Sequence, residues 1–215
     1  MKKKILVACL CVALAVLTVA GTTLAYLTSQ AEVKNTFTVG NVKMTMDEAE
    51  VNTDGTPVEN ANRVGSNDYI LSPGHTYVKD PIVHMDAVSE NCYVFIKVEN
   101  GLGVLEAATS AEDGGYKNIA AQITANGWKP LMNGTTAVAG VYYQEYTKNQ
   151  TDRELEVFVN FKIADNANTL KDGDQVIWDT ITTAQPIKVN VTAYAIQADG
   201  MTSAYDAWTK GGFGN

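Results

Sequence analysis

From Val42 onward the chain alternates between apolar and polar positions. Val42, Met44 and Met46 share one parity, with Asn41, Lys43, Thr45 and Asp47 on the other. The same period of two returns at Val94, Ile96 and Val98, and at Ile187, Val189, Val191, Ala193 and Ala195. It is longest at Leu155, Val157, Val159, Phe161 and Ile163, set against Glu154, Glu156, Asn160 and Lys162. Successive side chains on a strand point to opposite faces, so these runs predict half-buried strands of antiparallel sheets.

Turn signals punctuate the runs. Pro73-Gly74 fits the two central positions of a type II turn, where glycine accepts the positive φ. Asp54-Gly55, Asn133-Gly134 and Asp172-Gly173 suit hairpin or loop turns. Gly40 shifts the phase between Phe37/Val39 and Val42/Met44, which predicts a bulge or bend. Glu48 to Asn67 is polar and turn-rich and reads as a loop. One helix is expected near Tyr116 to Asn126, where Ile119 and Ile123 share a face and Gly127 stands at the C-terminal cap. A second, shorter one starts at Ser203, whose pairing with Asp206 resembles a capping box ahead of Trp208. Many strands, many turns and little helix define an all-β antiparallel β-sandwich with one or two short helices in its loops.

The first 25 residues break this pattern. Lys2, Lys3 and Lys4 precede an apolar run from Ile5 to Leu17, and Thr23-Leu24-Ala25 supplies small residues at a cleavage position. This is the layout of a secretory signal peptide over residues 1–25, cut between Ala25 and Tyr26. The apolar run is too short to read first as a membrane span. Leu6-Val7-Ala8-Cys9 resembles a lipobox, but only one apolar residue, Ile5, separates it from the lysines, which leaves no room for an apolar region ahead of it. Residues 26–215 are then one secreted domain, associated with the membrane only before cleavage.

Charge narrows the function. The chain stands at −8, and removal of residues 1–25 takes away three lysines and no acid. An acidic domain of this kind is not expected to bind nucleic acid or an anionic membrane surface, both of which demand basic patches. Cys9 and Cys11 leave with the signal peptide, so Cys92 remains alone and no intrachain disulfide is available. Its place before Tyr93-Val94-Phe95-Ile96 predicts a small buried strand residue.

Candidate chemistry is sparse. His75 and His84 are the only imidazoles, and no H-E-x-x-H pair is present. A site shared with Asp80 or Asp86 is the one arrangement open to them. Asp172-Gly173-Asp174 with Asp179 hints at calcium but lacks the alternating oxygen ligands of an EF-hand, and reads as a solvated hairpin tip. Glu154 and Glu156 lie on one strand face, the usual arrangement of a solvent face. No serine sits in a G-x-S-x-G elbow and no glycine-rich phosphate loop occurs. No catalytic residue, cofactor or metal is assigned, and an enzyme is not expected.

Three ordered segments resemble the TasA/camelysin family, the secreted matrix-fibre proteins of Gram-positive bacteria. The first is Gly21-Thr22-Thr23-Leu24-Ala25-Tyr26-Leu27-Thr28 with Asn35-Thr36-Phe37-Thr38-Val39-Gly40-Asn41-Val42. The second runs from Leu71-Ser72-Pro73-Gly74 through Lys79-Asp80-Pro81 to Tyr93-Val94-Phe95-Ile96-Lys97-Val98. The third is Ala193-Tyr194-Ala195-Ile196-Gln197-Ala198-Asp199-Gly200 with Ala207-Trp208. The resemblance implies a jelly-roll sandwich, cut by a dedicated ER-type signal peptidase and placed in an extracellular matrix or at the cell surface. It also implies head-to-tail polymerisation with copies of itself or related matrix proteins. The mature N-terminal segment, Tyr26 to about Phe37, would be the donor strand, with Leu27, Ala31, Val33 and Phe37 as inward residues. A monomeric surface adaptor or binding module remains the alternative reading. Camelysin is classed as a metallopeptidase, but no zinc motif carries that activity over to this chain, so a camelysin-type metallopeptidase stands third, behind the adaptor.

Overall fold

The structure is a computed structural model that describes residues 26–28, 31–33, 42–111, 115–181 and 186–214. Ala25, Phe37 and the expected bend at Gly40 lie outside these residues. The strands are β1 (Tyr26–Thr28), β2 (Ala31–Val33), β3 (Met44–Asp47), β4 (Asp68–Ile70), β5 (Thr76–Val78), β6 (Ile82–Met85) and β7 (Cys92–Asn100). Helix α1 (Ile119–Ala125) precedes β8 (Lys129–Asn133), β9 (Thr136–Tyr146), β10 (Glu154–Glu156), β11 (Asn160–Lys162), β12 (Lys171–Asp172) and β13 (Gln175–Val176). Strand β14 (Val189–Gln197) and helix α2 (Ala204–Lys210) complete the order. Among the described residues the fold is mostly β, with several antiparallel sheets, two short α-helices and no closed barrel.

The largest sheet has five strands in the order β2-β14-β7-β9-β8. Strand β14 pairs antiparallel with β7 along its whole length, from Val189 opposite Asn100 to Gln197 opposite Cys92. One face of this pair carries Cys92, Val94, Ile96, Val189, Val191, Ala193 and Ala195 into the main core. The other face carries Phe95, Tyr194 and Ile196 into a second apolar cluster. Helix α2 closes that second face with Ala204, Ala207 and Trp208, and Phe213 follows it down. The sheet is thus buried on both sides, which explains the unbroken apolar run Tyr93-Val94-Phe95-Ile96.

The main core is shared with a second group of strands. Sheet β10-β6-β3 and pair β11-β5 form what is nearly one long antiparallel ladder. Pro81 interrupts it, because proline has no N–H to donate. The two sides stay joined across the gap: Lys79 N–H donates to the Val159 carbonyl at 3.2 Å, and Val157 N–H to that of Pro81 at 2.9 Å. The break corrects one expectation. Val159 was placed inward by period two, yet it is 39% exposed, while Phe158 beside it is fully buried. The interrupted ladder frees this stretch from strict alternation and lets the larger ring fill the core.

Local signals act as the residues dictate. Asn118 caps α1, its Oδ1 accepting from Ala121 N–H at 3.0 Å. Gly127 ends the turn at φ 85°, and Trp128 then donates from Nε1 to the Glu156 carbonyl at 2.8 Å. Ser203 caps α2 by accepting from Asp206 N–H at 3.1 Å. Gly74 has φ 75° in the Pro73-Gly74 turn, closed by His75 N–H on the Ser72 carbonyl at 3.2 Å. Residues 48–67 form the expected loop, held by isolated bridges such as Glu48 opposite Val64 and by side-chain hydrogen bonds such as Arg63 Nη1 to Asp80 at 3.0 Å.

Candidate strand-exchange edge and buried polar cluster

The N-terminal segment is divided between two places. Strand β1 pairs antiparallel with β4, with Tyr26, Leu27 and Thr28 opposite Ile70, Tyr69 and Asp68. Two residues later β2 pairs with β14, and this pairing is parallel: Ala31, Glu32 and Val33 face Val191, Thr192 and Ala193. Leu27, Ala31 and Val33 therefore all lie on short strands that cover other strands of the same chain, while Phe37 falls outside the described residues.

The two edges of the five-stranded sheet are protected differently. At one end β8 carries Lys129 and Pro130, a charge and a residue without an N–H, both of which discourage strand addition. At the other end β14 offers nine residues, and β2 pairs with only three of them. A strand edge is a template for another chain. Whichever copy supplies β2, the edge it covers is that of β14.

The histidines do not come together. His75 precedes β5 and His84 lies in β6, nine residues along one bent course, so they stand up to about 30 Å apart at the usual strand rise. His75 donates from Nε2 to the Asp54 carbonyl at 2.8 Å. His84 Nε2 lies 2.9 Å from Asp47 Oδ1. Neither touches Asp80 or Asp86 as the sequence left open: Asp80 accepts from Arg63 Nη1 at 3.0 Å, and Asp86 accepts from Val88 N–H at 2.9 Å. Burial pushes the Asp47 carboxyl up, but hydrogen bonds from Arg63 and His84 outweigh it and hold the group below its ordinary value. The segment Asp172-Gly173-Asp174 is the tip of the β12–β13 hairpin. Among the described residues, no group of three or more His, Cys, Asp and Glu side chains is placed to hold a metal ion.

A different group, unmarked in the sequence reading, is fully enclosed. Glu48 and Lys79 are 0% and 1% exposed, and Lys79 Nζ donates to Glu48 Oε2 at 2.5 Å. Asn67, also buried, donates from Nδ2 to Glu48 Oε1 at 2.9 Å and to the Ala49 carbonyl at 2.8 Å. Its Oδ1 accepts from Val51 N–H at 2.9 Å. Burial pushes the Lys79 amine down toward its neutral form, opposed by the Glu48 charge. Tyr69, beside the group, meets Tyr77 and Phe161 edge-on with ring centres 5.8 and 5.4 Å away, and Tyr77 stacks on Phe161 at 5.0 Å. Parity was the available signal. Glu48 continues the inward series Val42, Met44, Met46, Lys79 falls between Tyr77 and Val83 on one inward series, and Asn67 precedes Tyr69 and Leu71.

Cys92 is 1% exposed on β7, as expected of a small strand residue. Burial pushes its thiol up to about 12. A thiol reagent at neutral pH should therefore leave the folded protein unlabelled and modify Cys92 fully in denaturant. Rapid labelling of the native chain would show that β7 opens at that end.

No family model, curated protein or solved structure matches the chain.

Proposed function

We propose that this chain is a secreted structural subunit of an extracellular matrix or surface fibre, and that it polymerises by donating its mature N-terminal segment to the next copy. The observation that carries the reading is the β14 edge, covered at Val191–Ala193 by a strand that begins only five residues after the expected cleavage position. Strand addition supplies main-chain hydrogen bonds for affinity and side-chain pockets for register.

Exchange preserves the contacts and changes their source. Within one chain, the segment 26–33 is split between β4 and β14. Extended without a break, Tyr26 to Phe37 reaches roughly 40 Å, more than the roughly 30 Å of the nine-residue β14. A neighbour's unbroken strand would thus gain pairing that the divided segment lacks. Such a contact runs head to tail and does not close, so it makes a filament. The cut before Tyr26 would release the donor from the signal peptide and so control when assembly starts. The ordered motifs resembling the TasA/camelysin family support the same reading, along with a jelly-roll arrangement of the strands and processing by a signal peptidase.

One observation favours the alternative of a monomeric adaptor: β1 and β2 already find partners in their own chain. Truncation separates the two. Protein starting at Tyr26 should form filaments visible by negative-stain electron microscopy as concentration rises, and protein starting at Phe37 should form none. Monodisperse particles from both would move the adaptor to the front.

A further inference from the structure

The Glu48–Asn67–Lys79 group has an arrangement that a buried ion pair does not require. One carboxylate holds two nitrogens, one on each oxygen: the Lys79 amine at 2.5 Å and the Asn67 amide at 2.9 Å. All three side chains are buried in one place. An amine, a primary amide and a carboxyl that touches both are the components of an acyl transfer.

We propose that this is a self-processing cross-link site, in which Lys79 and Asn67 join through an intramolecular isopeptide bond with Glu48 as the proton carrier. The neutral Lys79 Nζ attacks Cγ of Asn67 and forms the new C–N bond. Negative charge builds on Asn67 Oδ1, where the Val51 N–H already donates at 2.9 Å and stabilises it. Glu48 takes a proton from Nζ through Oε2 and returns one to Nδ2 from Oε1. The Cγ–Nδ2 bond then breaks and ammonia leaves. Amine plus amide gives a substituted amide plus ammonia, so the step balances with no oxidant, metal or added reactant.

Three features favour the step. Burial holds the amine toward the neutral, nucleophilic state. Glu48, Asn67 and Lys79 are at most 7% exposed, which excludes the water that would otherwise compete. Asn67 immediately precedes β4, Lys79 immediately follows β5, and Glu48 holds both side chains, so little freedom is lost on reaching the reactive geometry. The bond would close the Pro73-Gly74 loop covalently in a chain whose one cysteine after residue 25 has no partner. It stands independently of strand exchange.

Intact-mass spectrometry of the folded protein starting at Tyr26 tests it. The expected mass is lower than the sequence mass by one ammonia. Peptide mapping should recover a branched peptide joining Asn67 to Lys79, with trypsin failing to cut after Lys79. Glu48→Gln and Lys79→Arg should restore the full mass. The wild-type result decides alone if those variants fail to fold. Full mass in wild-type protein shown to be folded by circular dichroism, after prolonged incubation, would overturn the proposal. So would ammonia loss confined to a linear Asn67-Asp68 peptide, which marks a cyclised asparagine instead.

Discussion

Replacing Lys79 by methionine will lower the stability of the folded chain by about 3–5 kcal/mol, because it leaves the Glu48 carboxylate buried without a counter-charge. Glu48 is 0% exposed, so water cannot take over from the lost ammonium. Asn67 Nδ2 still donates to it, but one amide does not neutralise a buried charge. The reverse change, Glu48→Gln, strands the Lys79 ammonium in the same way, although there the amine can shed its proton. Asn67 keeps an acceptor in that variant, so its loss should be the smaller of the two. The double variant Glu48→Gln/Lys79→Met removes both charges and should be more stable than the sum of the singles predicts. At about 2–4 °C per kcal/mol for a chain of this size, Lys79→Met should melt roughly 6–20 °C below wild type. This figure applies to the chain with a free Lys79 amine; where the Lys79–Asn67 bond has formed, Lys79 carries no charge and the drop measures the loss of the cross-link instead. Thermal melts of the four proteins by circular dichroism give the comparison. Singles within about 1 kcal/mol of wild type and a strictly additive double would show that the pair is not buried as described.

Trp208→Ala will cost about 3–5 kcal/mol, the usual range for removing a large aromatic from a packed core. The indole is 6% exposed and is the centre of the cluster beneath α2. Its ring centre lies 5.3 Å from Phe95, 5.5 Å from Tyr194 and 5.5 Å from Phe213, all at steep angles. Such edge-on contacts add to the area buried. Helix α2 has only seven residues, too few to persist without packing. Losing its anchor should therefore free the whole helix and expose Phe95, Tyr194 and Ile196 on the outer face of the five-stranded sheet. Denaturant melts should show the loss of stability, and dye binding at sub-denaturing temperature should rise with the exposed apolar patch. A variant that melts with the wild type and binds no dye would mean that the sheet does not depend on α2.

Alternation carried the strands that have one wet face. Val42, Met44 and Met46 point inward as period two requires, and so do Leu155, Val157, Phe161 and Ile163. The caps at Ser203 and Gly127 were legible because each is a chemical requirement of a helix end. Burial on both faces was less legible, since Phe95 and Tyr194 lie off the parity of their neighbours and are covered by the helix that follows β14. Pro81 and the exchange of Phe158 for Val159 depend on which strand lies opposite, and parity does not name a partner. The same limit hid the pairing of β2 with β14 and of β1 with β4. Glu48, Asn67 and Lys79 each obey parity, but their charge and polarity argue for the surface until all three are seen to meet. Only the fold brings together residues 48, 67 and 79 and lets each satisfy the others.

The central claim is that β2 is supplied to β14 by a neighbouring chain. Glu32 and Thr192 face each other in that pairing, so they mark the contact. One preparation would carry Glu32→Cys and a second Thr192→Cys, both starting at Tyr26, with Cys92 remaining buried in each. The two would be mixed, allowed to assemble and oxidised, and the products separated without reductant. Strand exchange predicts a covalent heterodimer joined through residues 32 and 192 within the filaments. No heterodimer from the mixture, with an efficient internal disulfide in a single chain carrying both changes, would contradict it and leave β2 as an internal strand.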